Sequence, residues 1–128
     1  MKYVIDAWAW IEYLIGSNYG VEISKIIEDE SNEIFTCSLT VAEVISMIKR
    51  ENKDFDSAYE FILSHSKFYN INPKFAKESA LMHADIKKDM KDFGLADSFV
   101  LATAKMLNAK IVTGDPHFKK FKNVVFIS

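Results

Sequence analysis

Cysteine is almost missing from this chain: Cys37 stands alone among 128 residues. One cysteine makes no internal disulfide, and with three scattered histidines it builds no zinc site. A reducing, cytoplasmic setting is the expectation. Glycine and proline are scarce as well, at four and two, which leaves little room for long irregular or low-complexity segments. No apolar run approaches the roughly 18 to 20 residues of a membrane span. The N-terminus does not follow the basic-then-apolar order of a secretory signal, because Asp6 and Glu12 interrupt it. Phosphate-binding and dinucleotide-binding glycine patterns are absent, so nucleotide triphosphates and dinucleotides find no support. The GxSxG turn of a serine triad is absent too.

What remains is an ordinary globular composition, 49% hydrophobic and 27% charged, in a chain whose length suits one domain with a sizeable core. Net charge is −2, which at first sight argues against a nucleic-acid partner. Its distribution says more. Residues 1 to 86 hold 8 Lys/Arg against 14 Asp/Glu, whereas residues 87 to 128 hold 8 Lys against 4 Asp. A charge run is most simply a solvated face, but a basic C-terminal third also suits phosphates.

Apolar periodicity maps the elements. Strands are expected at 2–6, 34–37, 67–71, 110–113 and 124–127. Helices are expected at 7–15, 19–30, 41–50, 55–64 and 96–107, with a long one running from Pro73 to 92 and a short helical turn from Pro116 to Lys120. Asp54 is a plausible cap, and Thr40 is placed before the helix that carries Glu43. Short β-branched strands alternating with helices predict an α/β fold: a parallel central sheet of about four to five strands, sandwiched by helices. Ligands of such sheets bind outside the carboxyl ends of the strands.

Four acids fall where such a ligand would sit. Asp6 follows the first strand and Asp115 follows KIVT. Either alone reads as a helix cap, but two at one sheet edge make coincidence harder to accept. Asp97 shares a helical face with Val100, Leu101 and Ala104, so it lies on an apolar stripe, where an unpaired carboxylate is costly. A first-turn Asp facing free backbone N–H groups is the plainer account. Glu43 is three residues after Thr40, the spacing of a capping box; a place in the Asp6 crevice is an equally open reading. Should the four converge, oxygen-only ligands select hard divalent ions, and such ions support in-line displacement at phosphorus. Of the histidines, His65 and His83 read as packing or surface residues, and His117 lies beside the proposed site. Trp8, Trp10, Phe118 and Phe121 read as core before nucleic-acid platforms, and Met82, Met90 and Met106 as gap-filling core.

The segments VIDAWAWIEYL, SLTVAEVI, GLADSFVLATA and IVTGDPHF, in this order, resemble the PIN domain, and within it the small VapC-type toxins. The resemblance covers essentially the whole chain, so residues 1–128 are expected to form a single PIN-like domain. It implies a Mg²⁺- or Mn²⁺-dependent endoribonuclease, often a homodimer, inhibited by a small antitoxin protein. Asp6, Glu43, Asp97 and Asp115 would then be the catalytic, metal-binding acids, with Thr113 supporting the last of them. Two positions depart from the family pattern. Trp8 stands where a serine or threonine is common, and His117 where a further aspartate often stands. Both imply altered metal affinity or preference, with the four principal acids intact. Bound metal would offset those acids and turn the net charge positive, so that Lys105, Lys110, Lys119, Lys120 and Lys122 meet an RNA backbone.

Two rivals remain. A phosphoacceptor receiver domain requires paired acids after the first strand and a strand-end lysine, and this chain has neither. A non-catalytic PIN-like module that binds RNA or protein would be marked by lost acids; all four are present, and only Trp8 and His117 speak for it.

Overall fold

A computed structural model describes residues 1–128. Five strands form one sheet: β1 (Lys2–Ile5), β2 (Glu33–Cys37), β3 (Lys67–Tyr69), β4 (Lys110–Thr113) and β5 (Val124–Phe126). Six helices connect them: α1 (Ala7–Ile15), α2 (Asn18–Ile27), α3 (Ser38–Arg50), α4 (Phe55–His65), α5 (Pro73–Lys87) and α6 (Leu95–Leu107), with a 3₁₀ turn at Pro116–Phe118. The spatial order is β3-β2-β1-β4-β5 and every pairing is parallel. No helix is long and apolar enough to cross a membrane.

Strand alternation explains why both faces carry helices. Successive side chains on a strand point to opposite faces. Ile5 and Val112 pack into a core with Ala9, Trp10, Val44, Ile48 and Ile62, beneath α1 to α4. Their neighbours Val4 and Ile111 pack into the other core with Phe93, Val100, Leu101 and Phe118, beneath α6. The chain builds outward from β1 to β3, then returns under α5 and α6 to place β4 on the free side of β1. Parallel crossovers keep one hand, so reversing direction moves the helices to the opposite face. The reversal leaves a crevice between the carboxyl ends of β1 and β4.

Local chemistry sets most element ends. Asp6 caps α1 and Gly16 closes it in the left-handed region at φ 72°. Asn72 caps α5, with Pro73 in its first turn. Several ends differ from the sequence expectation. The first half of α2 is as expected, but the helix stops at Ile27, and β3 stops at Tyr69. Helix α5 ends at Lys87 because i to i+3 bonds tighten the chain through Met90 and carry Phe93 into the core against Phe118 and Phe121. Met106 is 58% exposed, so it is not core. Helix α3 starts at Ser38, two residues before Thr40, with no side-chain cap. Thr40 is therefore buried inside the first turn, and Glu43 is free of the capping-box role.

The largest fully buried side chain, Trp10, is pinned by its indole N–H, which donates to Thr36 Oγ1 at 3.0 Å; Thr36 Oγ1 in turn meets Ser66 Oγ at 2.6 Å. These bonds tie α1 to β2 and to the residue before β3. Thr36→Val keeps the shape and the strand preference but leaves the indole N–H without an acceptor. Stability in urea should fall by about 1–3 kcal/mol; an unchanged midpoint would show that this bond contributes nothing net.

Candidate metal centre

The crevice between β1 and β4 is where the acids meet. Asp6, directly after β1, is buried. Its Oδ1 accepts the backbone N–H of Ala9 at 2.9 Å, and its Oδ2 accepts the Thr113 hydroxyl at the end of β4. Thr113 Oγ1 also accepts the Asp115 N–H at 3.0 Å, so one hydroxyl positions two acids. Asp115 caps the 3₁₀ turn, its Oδ1 accepting the His117 N–H at 2.9 Å. Asp97 opens α6, and its Oδ2 accepts the Gly94 N–H at 3.0 Å.

The competing readings of these acids are thus both true. Asp6, Asp97 and Asp115 do cap their helices or turns, and they also face one another. A carboxylate has two oxygens. Oδ2 of Asp97 and Oδ1 of Asp115 bind backbone donors, while the second oxygen of each accepts nothing from the protein.

His117 enters this group. Its Nδ1 lies 3.4 Å from Asp97 Oδ2 and 3.3 Å from Asp115 Oδ1. Both separations are within ion-pair range, yet Nδ1 is buried and makes no hydrogen bond of acceptable geometry. One ligating atom from each of Asp97, Asp115 and His117 falls within 4.8 Å of the others. Asp6 and Glu43 lie outside this tight trio. They join it electrostatically: the charges of Asp115 and Asp97 act on Asp6, and that of Asp97 acts on Glu43.

Burial makes these charges expensive. Desolvation is the main cause that pushes the Asp6 carboxyl up to about 7, against the opposing bonds from Thr113 and Ala9. Desolvation also raises Glu43, with Asp97 adding to it. Asp97 is raised by burial first and by Asp115 further, opposed by the Gly94 N–H and by His117. No lysine or arginine pairs with any of the four. The site therefore gathers negative charge that only an imidazole partly offsets. Carboxylate oxygens with one unpartnered buried imidazole nitrogen fit a divalent cation.

Trp8 occupies the crevice floor. A Cβ on Gly114 would lie 2.3 Å from Trp8 Cη2, so the glycine between Thr113 and Asp115 is the only residue that admits the indole. The other face of this device is Tyr19, 5.4 Å from the Trp8 ring. Neither contact has a local signature in the sequence. His117 had one, its two-residue spacing from Asp115 across Pro116.

The lysines divide. Lys119 follows the 3₁₀ turn at the acid edge, its Nζ 5.2 Å from the Phe126 ring, and Lys120 is next to it. Lys110 opens β4 at the opposite edge, and Lys122 precedes Asn123, whose carbonyl accepts the Ile111 N–H there. Lys105 is in the last turn of α6, roughly 12 Å along the axis from Asp97. His65 stacks on Phe61 and His83 Nε2 meets the Phe93 carbonyl at 3.0 Å, so both serve packing.

Fold and site together define an α/β protein with a carboxylate-lined crevice at the switch point of a parallel sheet. The PIN domain profile matches residues 3–124, and the chain belongs to the PIN domain family. No curated protein matches it. Among solved structures it is similar to VapBC2 from Rickettsia felis bound to a promoter DNA fragment, at 17% identity and TM-score 0.75 over 98% of this chain and 97% of that one. It is similar to a toxin-antitoxin complex from Klebsiella pneumoniae, at 21% identity and TM-score 0.70, covering 96% and 95%. It is also similar to Mycobacterium tuberculosis VapC20, a sarcin-ricin loop cleaving toxin, at 10% identity and TM-score 0.70, covering 85% and 86%. At these identities the likeness is one of fold.

The raised Asp6 carboxyl has a consequence for the metal-free protein. Its folded value lies above its unfolded one, so between about pH 4 and pH 7 the native state holds the extra proton and stability falls as pH rises. The slope from this group reaches at most about 1.4 kcal/mol per pH unit. Glu43 and Asp97 act with the same sign. Asp6→Asn keeps an acceptor for Ala9 and removes the charge. Denaturation at pH 5 and pH 8 should show a shallower fall for the variant and greater stability than wild type at pH 8; equal slopes would refute the burial account.

Proposed function

We propose that this chain is a metal-dependent endoribonuclease, the toxin of a toxin-antitoxin pair, using Mg²⁺ or Mn²⁺ held by Asp6, Glu43, Asp97 and Asp115. The observation that carries this reading is the gathering of carboxylates, Asp6 buried and Asp97 and Asp115 half-buried, with no lysine or arginine partner at the switch point of a PIN fold. The solved structures that are toxins or toxin-antitoxin complexes support the toxin part, and with it a small antitoxin as partner; a homodimer is proposed on the family resemblance alone.

Each residue has a task in this reading. Asp97 and Asp115 each spend one lone pair on a backbone donor and keep the others, on both oxygens, for an ion. Thr113 holds Asp6 and Asp115 in register by donating to one carboxylate and accepting the other residue's amide. Glu43, on α3, faces Asp97 from the opposite wall. Trp8 packs its indole against Gly114, between Thr113 and Asp115. The bound ion supplies water activation and neutralises charge on the departing oxygen.

The test is cleavage of labelled single-stranded and structured RNAs with Mn²⁺, Mg²⁺ or EDTA, beside Asp6→Asn and Asp97→Asn. Cutting should need metal, and each variant should lose at least about a hundredfold, since outer partners of metal ligands alone cost 10–100-fold. Cutting that the variants retain would sink the assignment. Metal binding through the acids without cutting of any RNA would favour the binding module instead.

Lys119 and Lys120, at the acid edge, are proposed to carry the RNA backbone toward the site, with Lys105, Lys110 and Lys122 meeting the backbone farther from the acids. Lys119→Glu with Lys120→Glu should weaken RNA binding and lower its salt slope by about one to two. The same reversal at Lys110 should change it less. Equal effects at the two edges would make the basic surface non-specific.

A further inference from the structure

We infer that His117 is itself a metal ligand, through Nδ1, and that it turns the site's preference from Mg²⁺ toward Mn²⁺. The inference rests on the metal-site reading above and departs from its four-acid ligand set. Three observations support it. The tight trio of potential ligands is Asp97, Asp115 and His117, while Asp6 and Glu43 fall outside it. Nδ1 is buried, without a hydrogen bond, between two carboxylate oxygens at 3.3 and 3.4 Å. Neighbouring donors around an octahedral ion at about 2.1 Å stand roughly 3 Å apart, so this spacing is close to that of one coordination sphere.

The turn holds the ring in place. Pro116 fixes the backbone, and Asp115 accepts the His117 amide, so the residue that caps the turn also faces the imidazole. The ring ligates through the Nδ1 lone pair with its proton carried on Nε2. Asp6 has both oxygens engaged by Ala9 and Thr113. It stands beside the trio, with its oxygens committed to the chain rather than to an ion.

A nitrogen ligand changes selectivity for a definite reason. Mg²⁺ keeps to oxygen donors and gives up water reluctantly, whereas Mn²⁺, though it also favours oxygen, is a transition-metal ion that exchanges a water for an imidazole more readily. An aspartate at this position would leave an all-oxygen site that takes either ion. His117 makes it a mixed site.

The experiment is pulsed electron paramagnetic resonance on the purified protein with Mn²⁺, together with calorimetric titration of Mn²⁺ and Mg²⁺. It compares wild type, His117→Asp, His117→Asn and Asp97→Asn, each checked for an unchanged thermal transition. Wild type should show ¹⁴N modulation of imidazole on bound Mn²⁺, and His117→Asp should lose it while still binding Mn²⁺. The ratio of Mg²⁺ to Mn²⁺ dissociation constants should fall about tenfold or more in His117→Asp. Mn²⁺ bound without ¹⁴N modulation, and lost in Asp97→Asn, would overturn the role of His117 and leave the acid site standing. No Mn²⁺ bound by wild type would overturn both. Modulation that survives in both His117 variants would assign the nitrogen to another residue and overturn the inference.

Discussion

A single hydroxyl, that of Thr113, joins the ends of β1 and β4 by donating to Asp6, a residue 107 positions away in sequence. Much else follows from that bond. Asp6 is buried and its carboxyl is pushed up to about 7, so a charge stands at the sheet edge only because Thr113 and the Ala9 amide both donate to it. Through its oxygen the same hydroxyl receives the Asp115 amide, which aims the turn that carries His117. The crevice thus has its walls aligned by a contact between two strands that are adjacent only because the chain reversed direction after β3.

The site also shows how a small fold uses one residue for two purposes. Capping needs a carboxylate oxygen at the start of a helix or turn, and a cation pocket needs carboxylates at the carboxyl edge of the sheet. For Asp6 and Asp115 these are the same place, because α1 and the 3₁₀ turn begin where β1 and β4 end; Asp97 opens α6, which follows α5. Asp6, Asp97 and Asp115 meet the capping demand with one oxygen each, and Asp6 gives its other oxygen to Thr113. Capping offsets part of the cost of burial, and it keeps the acids oriented when no cation is present. Glu43 differs: it caps nothing, because α3 begins at Ser38, so its half-buried place near Asp97 has no structural task on α3 to explain it.

Trp8 acts by shape. Its indole lies against Gly114, the residue between Thr113 and Asp115. A bulky aromatic thus stands where a small hydroxyl residue is common in the resembling family, and it is accommodated by the absence of a side chain across from it. Polar support of the acids falls instead to Thr113 and His117.

The order of strands and helices, the parallel sheet and the three acids at element starts, Asp6, Asp97 and Asp115, were legible in the sequence. Each is a local matter: a two- or 3.6-residue period, a β-branched run, a cap within four residues. Residues 7–15 and 110–113 matched their expected bounds for that reason. Where the sequence misled, a distant partner decided. The start of α3 and the end of α5 were set by burial of Thr40 and Phe93 against other elements. The split of the lysines between two edges, the seat of Trp8 on Gly114 and the meeting of His117 with Asp97 all depend on β4 lying beside β1. That adjacency arises from the direction in which the chain crosses the sheet. Local sequence pattern therefore determined which residues stand at the ends of the strands, and only the tertiary structure decided which of those ends face each other.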